Sequence, residues 1–281
     1  MLKYSYIHAL AAVAAVFSAS ASYSDVVILD ASKDNTLYEN INGNISNGAG
    51  DYFFTGRTAI GEIRRGLIAF DIAGAVPKGA TINSVSLDLY MSMTIVGPQA
   101  TSLHRTFIDW GEGASDAPGG EGAGAPAQPG DATWLHTFFN TDFWTAVGGD
   151  FDPTASATNM VGGIGFYNWN STQMISDVQM WLDDPGSDFG WTIVGNEDTF
   201  PTAKKFDSRT SPLLKQRPVL TIDYTVADPC PWDLDNSGAV GTGDLLELFA
   251  QWGTAGPADF DESGAVGTND LLILFANWGP C

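Results

Sequence analysis

Basic side chains are scarce in this sequence: 12 Lys and Arg stand against 33 Asp and Glu, a formal net charge of −21 over 281 residues. That balance excludes nucleic acid and anionic membranes as ligands, since both need Lys and Arg to neutralise phosphates. Histidine is scarcer still. Beyond the opening segment only His104 and His136 remain, and no serine sits in a GxSxG elbow, so the common nucleophilic triads lack their parts. Only 16% of residues are charged whereas glycine numbers 32, a composition of many turns and few exposed helices. No apolar run reaches the roughly 20 residues that cross a bilayer. The run Ala9–Phe17 follows Lys3 and ends in Ala19-Ser20-Ala21, the pattern of a leader cleaved after Ala21. Residues 1–21 are therefore expected to be a signal peptide, and the mature chain to be secreted, extracellular and without membrane insertion.

Cysteine is nearly absent. The two present, Cys230 and Cys281, frame the last segment of the chain, and in an exported protein such a pair most simply forms one disulfide. Free thiols or a soft-metal site are the alternative, but no CxxC or nearby histidine supports a metal cluster. A bond here closes a loop of about 50 residues and contributes about 4 kcal/mol in the chain-entropy model.

From Val26 to about Thr225 apolar residues alternate in period two between turn signals, as in GLIAFDI (66–72), INSVSLDLYMSM (82–93), FGWTIVG (189–195) and RPVLTIDYT (217–225). Many short strands of this kind predict a mainly β fold, a β-sandwich or jelly roll, over residues 22–227. One stretch, 171–184, places Ile175, Val178, Trp181 and Leu182 at helical spacing and is expected to be a short helix covering one end of the sandwich. Between Gly111 and Asp131 glycine, alanine and proline dominate, and a long loop with almost nothing to bury is expected.

The segment 228–281 repeats itself. DLDNSGAVGTGDLLELFAQWG begins at Asp233 and DFDESGAVGTNDLLILFANWG at Asp259. In each copy oxygen-bearing side chains stand at positions 1, 3, 5 and 12: Asp233, Asp235, Ser237 and Asp244, then Asp259, Asp261, Ser263 and Asp270. Gly238 and Gly264 hold position 6, and Ala239 and Ala265 at position 7 offer backbone carbonyls. This spacing wraps a loop around a hard cation needing six to eight oxygens, so two Ca2+ ions are expected. Asp at position 12 is shorter than the common Glu, which asks the following helix to sit closer to the ion. Those helices, LLELFAQW and LLILFANW, align Leu245, Leu248, Phe249 and Trp252 with Leu271, Leu274, Phe275 and Trp278. The bland alternative is two acidic turns without an ion. Against it, residues 228–281 carry acids and no Lys or Arg, so the carboxylates repel unless a cation joins them.

A duplicated loop-then-helix unit with Asp at position 12 resembles dockerin repeats, a tandem EF-hand-like module. The resemblance implies attachment to a cohesin-like protein or cell-surface scaffold, with partner choice set at positions 10 and 11, here Thr242, Gly243, Thr268 and Asn269. The serines at position 5 and the flanking cysteines depart from the family pattern.

The body resembles the DNRLRE domain, a family grouped with carbohydrate-binding modules, through residues 64–90, 188–197 and 204–225; the closing Ser208-Arg209 is followed by Thr210 where the family has Glu. This resemblance implies a polysaccharide ligand that contains uronic acids. Eight of the twelve bases lie in two strand regions, Arg57, Arg64 and Arg65, then Lys204, Lys205, Arg209, Lys215 and Arg217. Adjacent strands would merge them into one patch, with Arg57, Arg65, Lys205 and Arg209 as the ligand contacts; pairing with the body's own acids is the plainer reading for any single one. Trp134 and Trp144, after the long loop, are the candidates for stacking on a sugar ring, although large aromatics are more often core. Asp109, Glu112 and Asp116 are the first suspects for acid–base chemistry, but the expectation is a noncatalytic binding protein. A structural or adhesive surface protein is the runner-up and a small polysaccharide-degrading enzyme the third reading.

Overall fold

The computed structural model describes residues 22–227 and 230–281; the leader expected over 1–21, and Asp228 and Pro229 at the expected junction, lie outside the described residues. The chain divides into a body, Ser24–Val226, and a module that begins at Ala227. Among the described residues no helix is long and apolar enough to cross a membrane.

The body is mainly β. The strands of its main sheet are β1 (Ser22–Asp30), β2 (Lys33–Tyr38), β3 (Tyr52–Arg57), β4 (Ile63–Ala69), β5 (Thr81–Thr94), β6 (Gln99–Arg105), β7 (Ala157–Val161), β8 (Gly165–Trp169), β9 (Trp191–Val194), β10 (Lys204–Asp207) and β11 (Val219–Ala227). They run in the order β1-β11-β5-β10-β3-β4-β9-β6-β7, with β8 also on β5 and β2 also on β4. The sheet curls, because one apolar cluster joins Leu87, Leu89 and Met91 of β5 to Ile68 of β4, Leu103 of β6 and Ile193 of β9.

Period two explains β5. Val85, Leu87, Leu89 and Met91 face the core while Ser86, Asp88, Tyr90 and Ser92 are half-buried on the other side. A register shift opposite Asp223 and Tyr224 lets Ile82 face inward as well. GLIAFDI behaves differently from the alternation read in it. Ile68 and Phe70 enter the main cluster, and Leu67 and Ala69 enter a second one with Leu37, Trp110, Ala132, Trp134 and Trp144. A strand covered on both faces needs a continuous apolar run, which is what β4 has.

Helix α1 (Thr172–Asp183) starts where Ser171 Oγ accepts from Met174 N at 3.0 Å, an N-cap. It buries Met174, Val178, Trp181 and Leu182 and packs on β5. Ile175 is only half-buried.

The Gly/Ala/Pro segment 111–131 corrects the expectation of a loop with nothing to bury. Ser115, Ala117, Glu121, Ala125 and Asp131 are all buried. The Glu121 carboxylate accepts from Asn47 Nδ2 at 2.8 Å and from the backbone N–H groups of Asp51 and Tyr52 at 3.2 and 3.0 Å. Polar contacts organise this segment where apolar ones are missing, and hydropathy patterns do not register them.

In the C-terminal module, helices α2 (Thr242–Ala250) and α3 (Thr268–Ala276) follow the two acidic loops. Leu248, Leu274, Val240 and Val266 form its small core together with Ala258 and Cys230. Phe249 and Trp252, and likewise Phe275 and Trp278, are exposed ring pairs with centroids 5.6 and 5.7 Å apart. The apolar face read from the sequence is thus divided between core and surface.

Candidate functional site

Each acidic loop is built from the chain outward. A residue with φ near +50° (Asn236, Glu262) and a glycine with φ of 87° or 96° (Gly238, Gly264) turn the backbone inward. Its amides then point at the carboxylates. In the first loop Ser237 N donates to Asp233 Oδ1 at 3.0 Å and Asp235 Oδ1 at 3.1 Å, and Gly238 N to Asp233 Oδ2 at 2.7 Å. In the second, Ser263 N donates to Asp259 and Asp261 at 3.0 and 3.1 Å, and Gly264 N to Asp259 Oδ2 at 2.9 Å. Ser237 Oγ lies 3.1 Å from Ala239 O and Ser263 Oγ 3.2 Å from Ala265 O, so the hydroxyl and carbonyl expected as ligands meet in both copies.

Position 12 has a double task. Asp244 and Asp270 are the third residues of α2 and α3, and each accepts from its helix's N-cap amide, Gly241 N at 2.6 Å and Gly267 N at 2.7 Å. Their second oxygens accept from Asp235 N and Asp261 N at 3.1 Å. Burial pushes Asp244 up, but the backbone donors, Gly241 first, outweigh it and hold the carboxyl below the usual range. A short Asp suffices at this position because the helix start brings it to the loop.

The result is two clusters, Asp233–Asp235–Asp244 and Asp259–Asp261–Asp270, each with carboxylate oxygens within 4.8 Å of one another. At an effective dielectric of ~20, charges at that distance repel by about 3 kcal/mol per pair. Amide donors soften the repulsion and a cation reverses it. The donor set is all oxygen, which suits a hard ion of the calcium or magnesium class and not zinc or copper.

Two expected partner-contact positions lie against these loops. Asn269 Nδ2 donates to Asp261 Oδ2 at 3.0 Å, while a Cβ on Gly243 would come within 1.9 Å of Asp235 Oδ2. Thr242, Thr268 and Asn269 are exposed and Gly243 is half-buried. The framing cysteines are joined, Cys230 to Cys281, with Cα atoms 5.6 Å apart.

The basic residues of the body are held by its own groups. Arg65 pairs through two bonds with Glu197, both at 2.8 Å, and lies over Trp134 and Phe151. Arg57 donates to Gly61 O at 2.8 Å and to Glu197 O at 3.2 Å. Arg209 is clasped by both oxygens of Glu112, and Arg64 pairs with Glu62 at 2.9 Å. Lys204 is buried and donates to Thr94 Oγ1 and to the carbonyls of Val96 and Gly97. Lys205 is buried too, its ammonium 3.4 Å from the Tyr52 ring centre, and burial pulls its pKa down. Proximity in sequence therefore does not make these six one free patch: each sits where a carbonyl, ring or acid already receives it, whereas Lys215 is exposed.

The two tryptophans are corrected as stacking platforms. Trp134 is 8% and Trp144 5% exposed, and Trp144 Nε1 donates to Thr133 O at 2.8 Å. Both fill the second apolar cluster, covering β2 and β4, and neither offers a ring face to a sugar. Two of the acid–base suspects are engaged, Asp109 with Lys33 at 2.7 Å and Glu112 with Arg209, and the third, Asp116, is exposed. Two carboxyls, the buried Asp34 and the half-buried Asp188, carried no sequence signal. Burial raises Asp34 and Asp188 to about 7, and Asp34 sits under the Arg209–Glu112 pair, accepting from Arg209 N at 2.6 Å.

The geometry defines a β-rich body joined to a disulfide-closed module with twin acidic clusters. No family model matches the chain, and no curated protein matches it.

Proposed function

We propose that the chain is a secreted, noncatalytic polysaccharide-binding protein, with a DNRLRE-like jelly-roll body and a dockerin-like module that folds around two Ca2+ ions. The observation that carries this reading is repetition: two clusters 26 residues apart are assembled by the same backbone and side-chain hydrogen bonds. A chance crowding of acids has no reason to repeat its bonding. Asp233, Asp235, Ser237, the Ala239 carbonyl and Asp244 would hold one ion, and Asp259, Asp261, Ser263, the Ala265 carbonyl and Asp270 the other. The ions would supply charge neutralisation at helix starts, and Thr242, Gly243, Thr268 and Asn269 beside them would face a cohesin-like partner.

The test is calcium addition after EDTA treatment of the full chain. Increased helical circular dichroism and a raised melting transition of the C-terminal module are expected; no change in either overturns the cation reading.

The sequestered bases and buried tryptophans of the body favour one competitor, a structural or adhesive surface protein. A glycan panel that includes polygalacturonate and alginate, run with calcium present, separates the two. Retention supports the polysaccharide reading, a blank panel supports the adhesive one, and newly formed reducing ends or unsaturated products would make the protein an enzyme.

A further inference from the structure

The two acidic loops have equivalent residues at the ligand positions, and each is backed by a short segment from elsewhere in the module. Behind the second loop that strand is the chain leaving α2. Val266 bridges Trp252, Gly253 N donates to Val266 O and Val266 N to Thr254 O, both at 2.9 Å. The chain then runs through Ala255 to Gly256, whose carbonyl accepts from Asp259 N at 3.0 Å, and so enters the loop it has just backed.

Behind the first loop the backing strand is the chain leaving α3, with Gly279–Pro280 paired to Ala239–Val240. Here the return path is not peptide. Cys281 follows Pro280 and is bonded to Cys230, whose carbonyl accepts from Asp233 N at 3.0 Å. Under the 26-residue offset of the repeat, Cys281 takes the place of Ala255 and Cys230 the place of Gly256. The disulfide therefore stands where the second repeat has the Ala255–Gly256 peptide bond. Cys281 is also seated on the first loop directly: its N donates to Gly238 O at 3.2 Å, and its Sγ lies 3.7 Å from Asp233 Oδ2.

We infer that the Cys230–Cys281 disulfide holds the first cation loop as the Ala255–Gly256 peptide holds the second, making the first site redox-sensitive and leaving the second insensitive. This rests on the cation reading of the loops. A dithiol reductant gives up two electrons and closes its own disulfide, while Cys230 and Cys281 each take one electron and one proton. The backing strand Gly279–Pro280 is then tethered only through α3, and the ordering of Asp233 and Gly238 must be supplied by the cation's own binding energy. Affinity falls at that loop alone. Linkage makes the effect reciprocal, so a cation in the first loop protects the disulfide from reduction by the same factor.

The test uses the full chain with one loop silenced at a time, titrated with CaCl2 by calorimetry before and after reduction with dithiothreitol. In Asp270→Asn, which reports the first loop, reduction should weaken calcium binding by about ten-fold or more. In Asp244→Asn, which reports the second, the change should stay within about two-fold. Equal weakening in both variants, or none in either, overturns the inference while leaving the cation reading intact; no calcium heat in the oxidised wild-type protein overturns both. If a silenced variant does not fold, wild-type protein gives the reciprocal measurement. Calcium should slow the appearance of free thiols in dithiothreitol, and thiol appearance indifferent to calcium counts against the linkage.

Discussion

Asp34 in the body and Asp244 in the C-terminal module are both buried carboxyls, yet burial wins at one and loses at the other. Asp34 has a single backbone donor, Arg209 N, and Glu112 beside it adds repulsion, so its pKa rises to about 7. Asp244 receives amides from Gly241 and Asp235, and backbone donors hold it low. In the body, bases are distributed so that ion pairs such as Arg65–Glu197 and Arg209–Glu112 close locally. In the module there are no bases to distribute. The body thus closes some of its charges in internal ion pairs, while the module clusters carboxylates with no base among them.

The sharpest way to separate the two units is a core deletion. Trp191 is fully buried, 4.7 Å from the Trp181 ring, and donates through Nε1 to Asp177 at 3.0 Å. Trp191→Ala should cost the body about 3–5 kcal/mol, seen as a fall in its urea midpoint. The module's calcium response should be unchanged, and its collapse would mean the units do not fold separately. Next in size is cation removal. At calcium a hundredfold above Kd, each loop should gain about 3 kcal/mol, so EDTA should lower the module's melting transition and leave the body's in place.

Acid titration should sharpen the contrast further. Because the folded pKa of Asp34 lies near 7, above the ordinary 3.8, the folded body retains a proton there that the unfolded chain releases. Its contribution is fully present below about pH 4 and is lost as pH rises toward 7, on the order of 2–4 kcal/mol. Asp34→Asn should flatten that part of the body's stability profile; an unaltered slope would show that Asp34 is not its source. The smallest expected effect is at Ser171, the N-cap of α1. Ser171→Ala should lower the body's stability by about 1 kcal/mol, and a neutral result would show that the cap is replaced by water.

Local order explains what could be read in advance. The acidic clusters of the loops, the helix at 172–183 and the strands around Leu87 and Ile222 depend on neighbours a few residues away. Segment 111–131 did not disclose its packing, because Glu121 is held by Asn47, Asp51 and Tyr52, far back in the chain. The same distance hid the fate of Trp134, Trp144 and Lys205. Whether a ring or an ammonium is free depends on what the fold lays over it, and composition carries no record of that.

The sequence by itself determined the period-two body, the repeat offset of 26 residues, the positions of the clustered acids in both loops and the pair of cysteines. These are properties of spacing, which covalent geometry converts directly into local shape. Tertiary structure alone decided that bases such as Arg65, Lys204 and Arg209 meet internal partners and that both tryptophans fill the second core. Such pairings join residues tens of positions apart, and only the burial that orders the whole chain selects them.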